Sequence, residues 1–158
     1  MYHLVSAIVE KLQLELSTAV AASQQAHDSA THPENIAANK YDTLAVEAAY
    51  LAHGQSMRIA ELKHAIALYQ HFQRPTLGPC ATAQLGALIC LENNQGQQRR
   101  FLIGPAAGGL SIDSEQGAIQ VITPATPLGR ALIGKRVHDD VDWQIHQRKE
   151  SYCVMAIE

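Results

Sequence analysis

The chain has 158 residues, of which 47% are hydrophobic but only 5% aromatic, so its core is built from Ala, Leu and Ile rather than from rings. Such a core suits close helix–helix packing and argues against an aromatic-lined pocket for a flat ligand. Twelve basic and fifteen acidic residues leave a formal charge of −3, which supplies no basic field for holding bare nucleic acid. Cys80, Cys90 and Cys153 are odd in number and widely spaced, which indicates neither a disulfide framework nor a zinc knuckle. No secretory signal or membrane-length apolar run is readable, so the expected compartment is the cytoplasm, with no membrane partner.

Composition changes near residue 75. Residues 1–74 hold one proline, Pro33, and one glycine, Gly54; the other five prolines and nine glycines follow. Proline and glycine punctuate turns, so the first part predicts long helices and the second short elements with tight connections. The expected division is a helical region over 1–74 and a second domain over 75–158.

Leu4, Ile8, Leu12 and Leu16 recur every four residues, and Ile59, Leu62, Ile66 and Tyr69 at three, four and three. Both are helical stripes. They predict one helix over about 3–27 and another over about 40–73, with turn chemistry in His27–Asn35 between them. Neither stripe can be buried alone, so the two helices are expected to pair as an antiparallel coiled-coil hairpin. At about 1.5 Å per residue the second would be roughly 50 Å long, a projecting finger with residues near 28–47 at its tip. Gly54 inside the second helix predicts a close approach of the two helices there.

After Pro75 and Gly78 the pattern changes to strands. Leu85–Leu91 runs into Glu92-Asn93-Asn94-Gln95-Gly96, a hairpin signal, and Arg99–Gly104 returns. Gly104–Gly109 reads as a turn, because no helix follows it as a phosphate-binding loop requires. Ala118–Ile122, the alternating Val141, Trp143 and Ile145, and Ser151–Ile157 are further strands, with a polar turn at Gln147–Glu150. Thr126 as N-cap, Pro127 at the first helical position and Gly134 at the end predict one short helix. The sum is an α+β chain: a helical hairpin followed by an antiparallel sheet carrying a single helix.

Three constellations could carry chemistry. Cys153 with His138 or His146 could form a nucleophile pair, but a thiol inside a strand is ordinarily buried and inert. Six of the eight histidines lie in the helical part, none at the i, i+4 spacing that chelates on one helical face. Asp28, Glu34, Asp42 and Glu47 cluster at the expected tip, and carboxylate oxygens suit a hard cation such as Mg²⁺.

The segment Ile122-Thr123-Pro124-Ala125-Thr126-Pro127-Leu128-Gly129-Arg130-Ala131-Leu132-Ile133-Gly134-Lys135, followed by His138-Asp139-Asp140-Val141-Asp142, resembles the signature of the GreA/GreB family. Gly78 through Ile103 resembles the first strands of that family's C-terminal domain, and the helical hairpin resembles its N-terminal coiled coil. The resemblance implies an accessory factor of bacterial RNA polymerase whose FKBP-like C-terminal domain docks on the rim of the secondary channel. It implies a coiled coil that enters the channel, where acidic tip residues help the polymerase hydrolyse backtracked RNA. Nucleic acid is then met only within the polymerase complex. No cofactor is held tightly, and Mg²⁺ is shared with the polymerase active site.

In that family the tip pairs an Asp with a Glu three residues later. Here Asp42 is followed at three residues by Ala45, and the next acid is Glu47. On a helix, residues five apart are separated by about 140° and do not share a face. The resemblance therefore points to Asp42 and Glu47 as the catalytic tip residues, with weak or absent stimulation of cleavage. It points to Arg130, Lys135, Asp139 and Asp140 for docking. The expected role is that of an elongation regulator and not of a stand-alone enzyme. A non-catalytic competitor of true cleavage factors and a general protein–protein adaptor are the alternatives. The chain lacks the aromatic residues of a working prolyl isomerase pocket.

Overall fold

The computed structural model describes residues 2–31, 43–78, 81–145 and 148–158. Helix α1 spans Tyr2–Thr31 and α2 spans Thr43–Gln70. The strands are β1 (Leu88–Asn93), β2 (Gln98–Ile103), β3 (Ser111–Ile112), β4 (Ile119–Ile122), β5 (Asp140–Ile145) and β6 (Arg148–Ile157), with the short helix α3 (Pro127–Leu132) between β4 and β5. By packing, the chain forms two compact units: Val9–Ala67, which is helical hairpin alone, and Met1–Ile8 with Leu68–Glu158. The compositional boundary at residues 74 and 75 falls inside the second of these.

The hairpin follows from its stripes. Leu12, Leu62, Ala65 and Ile66 are buried, with Leu16 and Ile59 half-buried. An Arg58 guanidinium nitrogen donates to Glu15 Oε2 at 2.9 Å and lies 3.7 Å from Glu61, tying the two helices at that level. Two expectations are corrected. Helix α1 continues through His27–Thr31, where turn chemistry predicted a loop. The propensity differences of His, Asp and Ser are a few tenths of a kcal/mol, and a helix already nucleated over 25 residues outweighs them. Gly54 marks no close approach: a Cβ built there meets nothing within 4 Å.

In the other unit, the described residues form a six-stranded sheet ordered β3-β4-β2-β1-β6-β5. Every neighbouring pair is antiparallel except β2 and β4, which run parallel, so the sheet is mixed rather than purely antiparallel. Asn93 closes the β1–β2 hairpin, its Oδ1 accepting from the backbone N–H of Gln95 and Gln97, with Gly96 at φ +73°. The polar stretch expected as a turn at 147–150 is instead largely strand. Arg148, Lys149 and Glu150 pair with Ile145, Gln144 and Trp143 at the start of β6, because pairing with β5 satisfies their backbone groups.

Alternation sorts the sheet into two faces. On one, Ile89, Leu91, Phe101, Ile103, Ile122, Val141, Tyr152 and Val154 form a core with Leu128 and Leu132 of α3. On the other, Leu88, Leu102 and Val121 stand in one cross-strand row and are also buried. The row from Cys90 through Arg100 to Ile119 passes from half-buried polar residues into the core.

Candidate docking segment and hairpin carboxylates

The motif segment from Thr123 to Asp140 is held by its own backbone. The Thr126 hydroxyl donates to the Thr123 carbonyl at 2.7 Å and accepts from the Gly129 N–H at 3.1 Å, so Thr126 is the predicted N-cap. Gly129 is required by space: a Cβ there would run into the Thr123 carbonyl oxygen. Leu128 and Leu132, four apart, are buried, which turns Arg130 outward. Gly134, at φ +83°, ends the helix as expected, and its N–H donates to the Ala83 carbonyl at 2.8 Å. The next backbone carbonyl, that of Lys135, accepts from Ala83 at 2.7 Å, so this end of the segment is stitched to the chain entering the sheet.

The four predicted docking residues divide in two. Arg130 and Asp140 are exposed, and their charged groups have no partner among the described residues. Lys135 and Asp139 are half-buried and committed to the backbone. Lys135 Nζ donates to the Asp140 carbonyl at 2.9 Å, and the Asp139 carboxylate accepts from the Arg136 N–H at 2.7 Å. Asp139 thereby closes the turn that places His138 at φ 72° and pairs Val154 with Asp139 at 3.0 Å. Ile133, an apolar side chain, is 44% exposed at the end of the same helix and was not among the residues expected to dock. Its signal was present: one residue past Leu132, it falls about 100° off the buried stripe.

Of the hairpin carboxylates, Glu47 is exposed on α2, four residues past its first residue. Asp28 is exposed on α1. Asp42 and Glu34 lie outside the described residues. Among the described residues no three His, Cys, Asp or Glu side chains come together to hold a metal ion. Of the Cys153 pairings, His146 lies outside the described residues. Among the described residues no side-chain hydrogen bond joins Cys153, half-buried in β6, to His138, whose backbone N–H donates to the Val154 carbonyl at 2.7 Å. Cys90 is half-buried too, and burial pushes its thiol above the ordinary range.

A helical hairpin and a mixed sheet, with one Thr-capped helix presenting charge to solvent, define an α+β chain. Residues 79–158 match the family described as transcription elongation factor, GreA/GreB, C-term, and the chain belongs to that family. Over 73 residues it is 37% identical to transcription elongation factor GreB of Yersinia pestis, a match spanning 46% of this chain and 39% of GreB. Among solved structures it is similar to the Thermus thermophilus GreA factor homolog 1 (Gfh1), at 22% identity and TM-score 0.41 over 99% of this chain and 94% of that one. Thermus aquaticus Gfh1 matches at 21% and 0.40, over 96% and 94%. The GreA/GreB factor of Nitrosomonas europaea matches at 13% and 0.39, over 72% and 92%. The membership rests on the family match. No helix among the described residues is long and apolar enough to cross a membrane.

Proposed function

We propose that this chain is an accessory regulator of bacterial RNA polymerase. It docks through the sheet-bearing unit at the secondary channel and acts there with weak or absent stimulation of transcript cleavage. The observation that carries the reading is the GreA/GreB match over residues 79–158, on a segment that leaves Arg130 and Asp140 uncommitted at the surface. The charge of the hairpin agrees with it. Between Lys11 and Arg58 the sequence holds one basic residue, Lys40, against Glu15, Asp28, Glu34, Asp42 and Glu47. Such a surface does not adhere to phosphates, so nucleic acid is met inside the polymerase and not bound directly. A factor with this partner works in the cytoplasm.

A divalent ion shared with the polymerase active site would supply activation of water and charge neutralisation on the scissile phosphate. This chain would contribute carboxylate oxygen from Asp42 and Glu47. Ala45 stands three residues after Asp42, so the second oxygen donor comes five residues on, which is why cleavage stimulation is weak. The same substitution favours a second reading, in which the chain occupies the channel without supporting hydrolysis and competes with true cleavage factors. Backtracked elongation complexes test both. Weak cleavage abolished by Asp42→Ala supports the first reading. No cleavage, with inhibition of an authentic GreB, supports the second. Failure to bind polymerase at all overturns both.

A further inference from the structure

Gly54 sits inside α2 with open space around it, and nothing in the packing requires a glycine there. A glycine in an exposed helix interior weakens the helix locally. Two residues on, the Ser56 hydroxyl donates to the Ala52 carbonyl at 2.9 Å, a back-bond that competes with the helical ladder and bends helices.

The opposite helix carries the same kind of back-bond. The Glu15–Arg58 ion pair joins the two helices; Ser17 and Thr18 follow it on α1, as Gln55 and Ser56 precede it on α2. The Ser17 and Thr18 hydroxyls both donate to the one Leu14 carbonyl, at 2.8 and 2.9 Å. Packing changes at this level too. Leu12 and Leu62 are buried on one side of it. On the other side no side chain described between residues 13 and 61 is buried. There a groove of about 640 Å³ is lined by residues of both helices, Val20, Ser23, Ala52, Gln55 and Ile59 among them.

We propose that the hairpin carries a built-in bend point at the level of Gly54. The stretch beyond the Glu15–Arg58 pair, residues 16–31 of α1 and 43–57 of α2, opens and bends as one unit, while the stretch held by Leu12 and Leu62 stays closed. Three separate features coincide there: an unneeded glycine, back-bonded hydroxyls on both helices, and the end of the buried stripe.

Amide hydrogen exchange on the full chain tests this. Amides of residues 18–27 and 50–57 are expected to exchange as a group, on the order of tenfold faster than those of 6–13 and 62–69, with a step at Glu15 and Arg58. Gly54→Ala is expected to slow the fast group roughly threefold and leave the slow group unchanged, and Ser56→Ala to act in the same direction. A smooth gradient of rates toward residues 32–42 would be end fraying and would overturn the proposal. So would Gly54→Ala slowing both groups alike, which is global stabilisation.

Discussion

The Tyr69 hydroxyl donates to the Ala106 carbonyl at 3.0 Å, across a gap that only a glycine at position 104 leaves open. Tyr69 is the last buried residue of the α2 stripe, and its ring meets Phe72 edge-on at 6.1 Å. Gly104 follows β2, and a Cβ there would run into the Tyr69 hydroxyl and stand 3.0 Å from Val121 Cγ1. One hydrogen bond thus joins the end of the helical stripe to the loop after β2.

The two residues are therefore expected to be coupled. Tyr69→Phe loses the hydrogen bond and costs about 1 kcal/mol. Gly104→Ala costs about 1–3 kcal/mol by overpacking. In the Tyr69→Phe background Gly104→Ala costs less, because the atom it struck is gone. A double-mutant cycle by urea unfolding reads the difference; strict additivity would show that the two do not meet. The same pair sets a pH dependence. Burial raises the Tyr69 phenol well above its ordinary 10.0, so the native state keeps a proton that the unfolded chain gives up. Stability from this group is complete below pH 10 and falls as pH rises beyond it. Tyr69→Phe is expected to flatten that fall. It does not abolish it, since the Tyr152 phenol is raised too, by burial and by donating to Glu150.

At the start of α3, Gly129→Ala is expected to destabilise the sheet-bearing unit by about 1–3 kcal/mol, because its methyl meets a backbone carbonyl that cannot swing aside. Thr126→Ala removes the cap and costs about 1 kcal/mol. Thr126→Ser keeps the hydroxyl and should recover most of it. Thermal unfolding ranks the three.

The docking assignment separates surface from scaffold. Arg130→Glu and Asp140→Lys are expected to change stability by no more than about 0.5 kcal/mol, as exposed sites do. Each is expected to weaken binding to RNA polymerase. Asp139→Ala strands the Arg136 N–H and loosens the turn at His138, so its loss of binding should track a lowered melting temperature. Binding and melting measured on the same preparations distinguish the cases.

Much of this arrangement was legible in the residues. The stripe Ile8, Leu12, Leu62, Ile66 and Tyr69 is the buried face of the two helices. Thr126, Pro127 and Gly134 bracket α3 as their capping chemistry dictates. Where the reading fell short, the cause is tertiary. The two-residue β3 is too short to show a period, and the parallel pairing of β4 with β2 is set by which edge is open, which no local spacing records. Arg148–Glu150 look like a turn by polarity and become strand by pairing. Gly54 shows that a glycine in a helix is an ambiguous sign, standing for contact or for its absence. Of the site, Arg130 and Asp140 were legible as surface charge. That Lys135 and Asp139 are bound to the backbone was not, because hydrogen bonds five and three residues away depend on turn geometry.

The strand order carries a consequence for the nascent chain. β6 lies between β1 and β5, although it leaves the ribosome after both. Until it arrives, β1 keeps a bare edge of backbone donors and acceptors, and β5 has no sheet to join. A polypeptide paused before residue 148 therefore displays a sticky flank, and synthesis of β6 is what closes it.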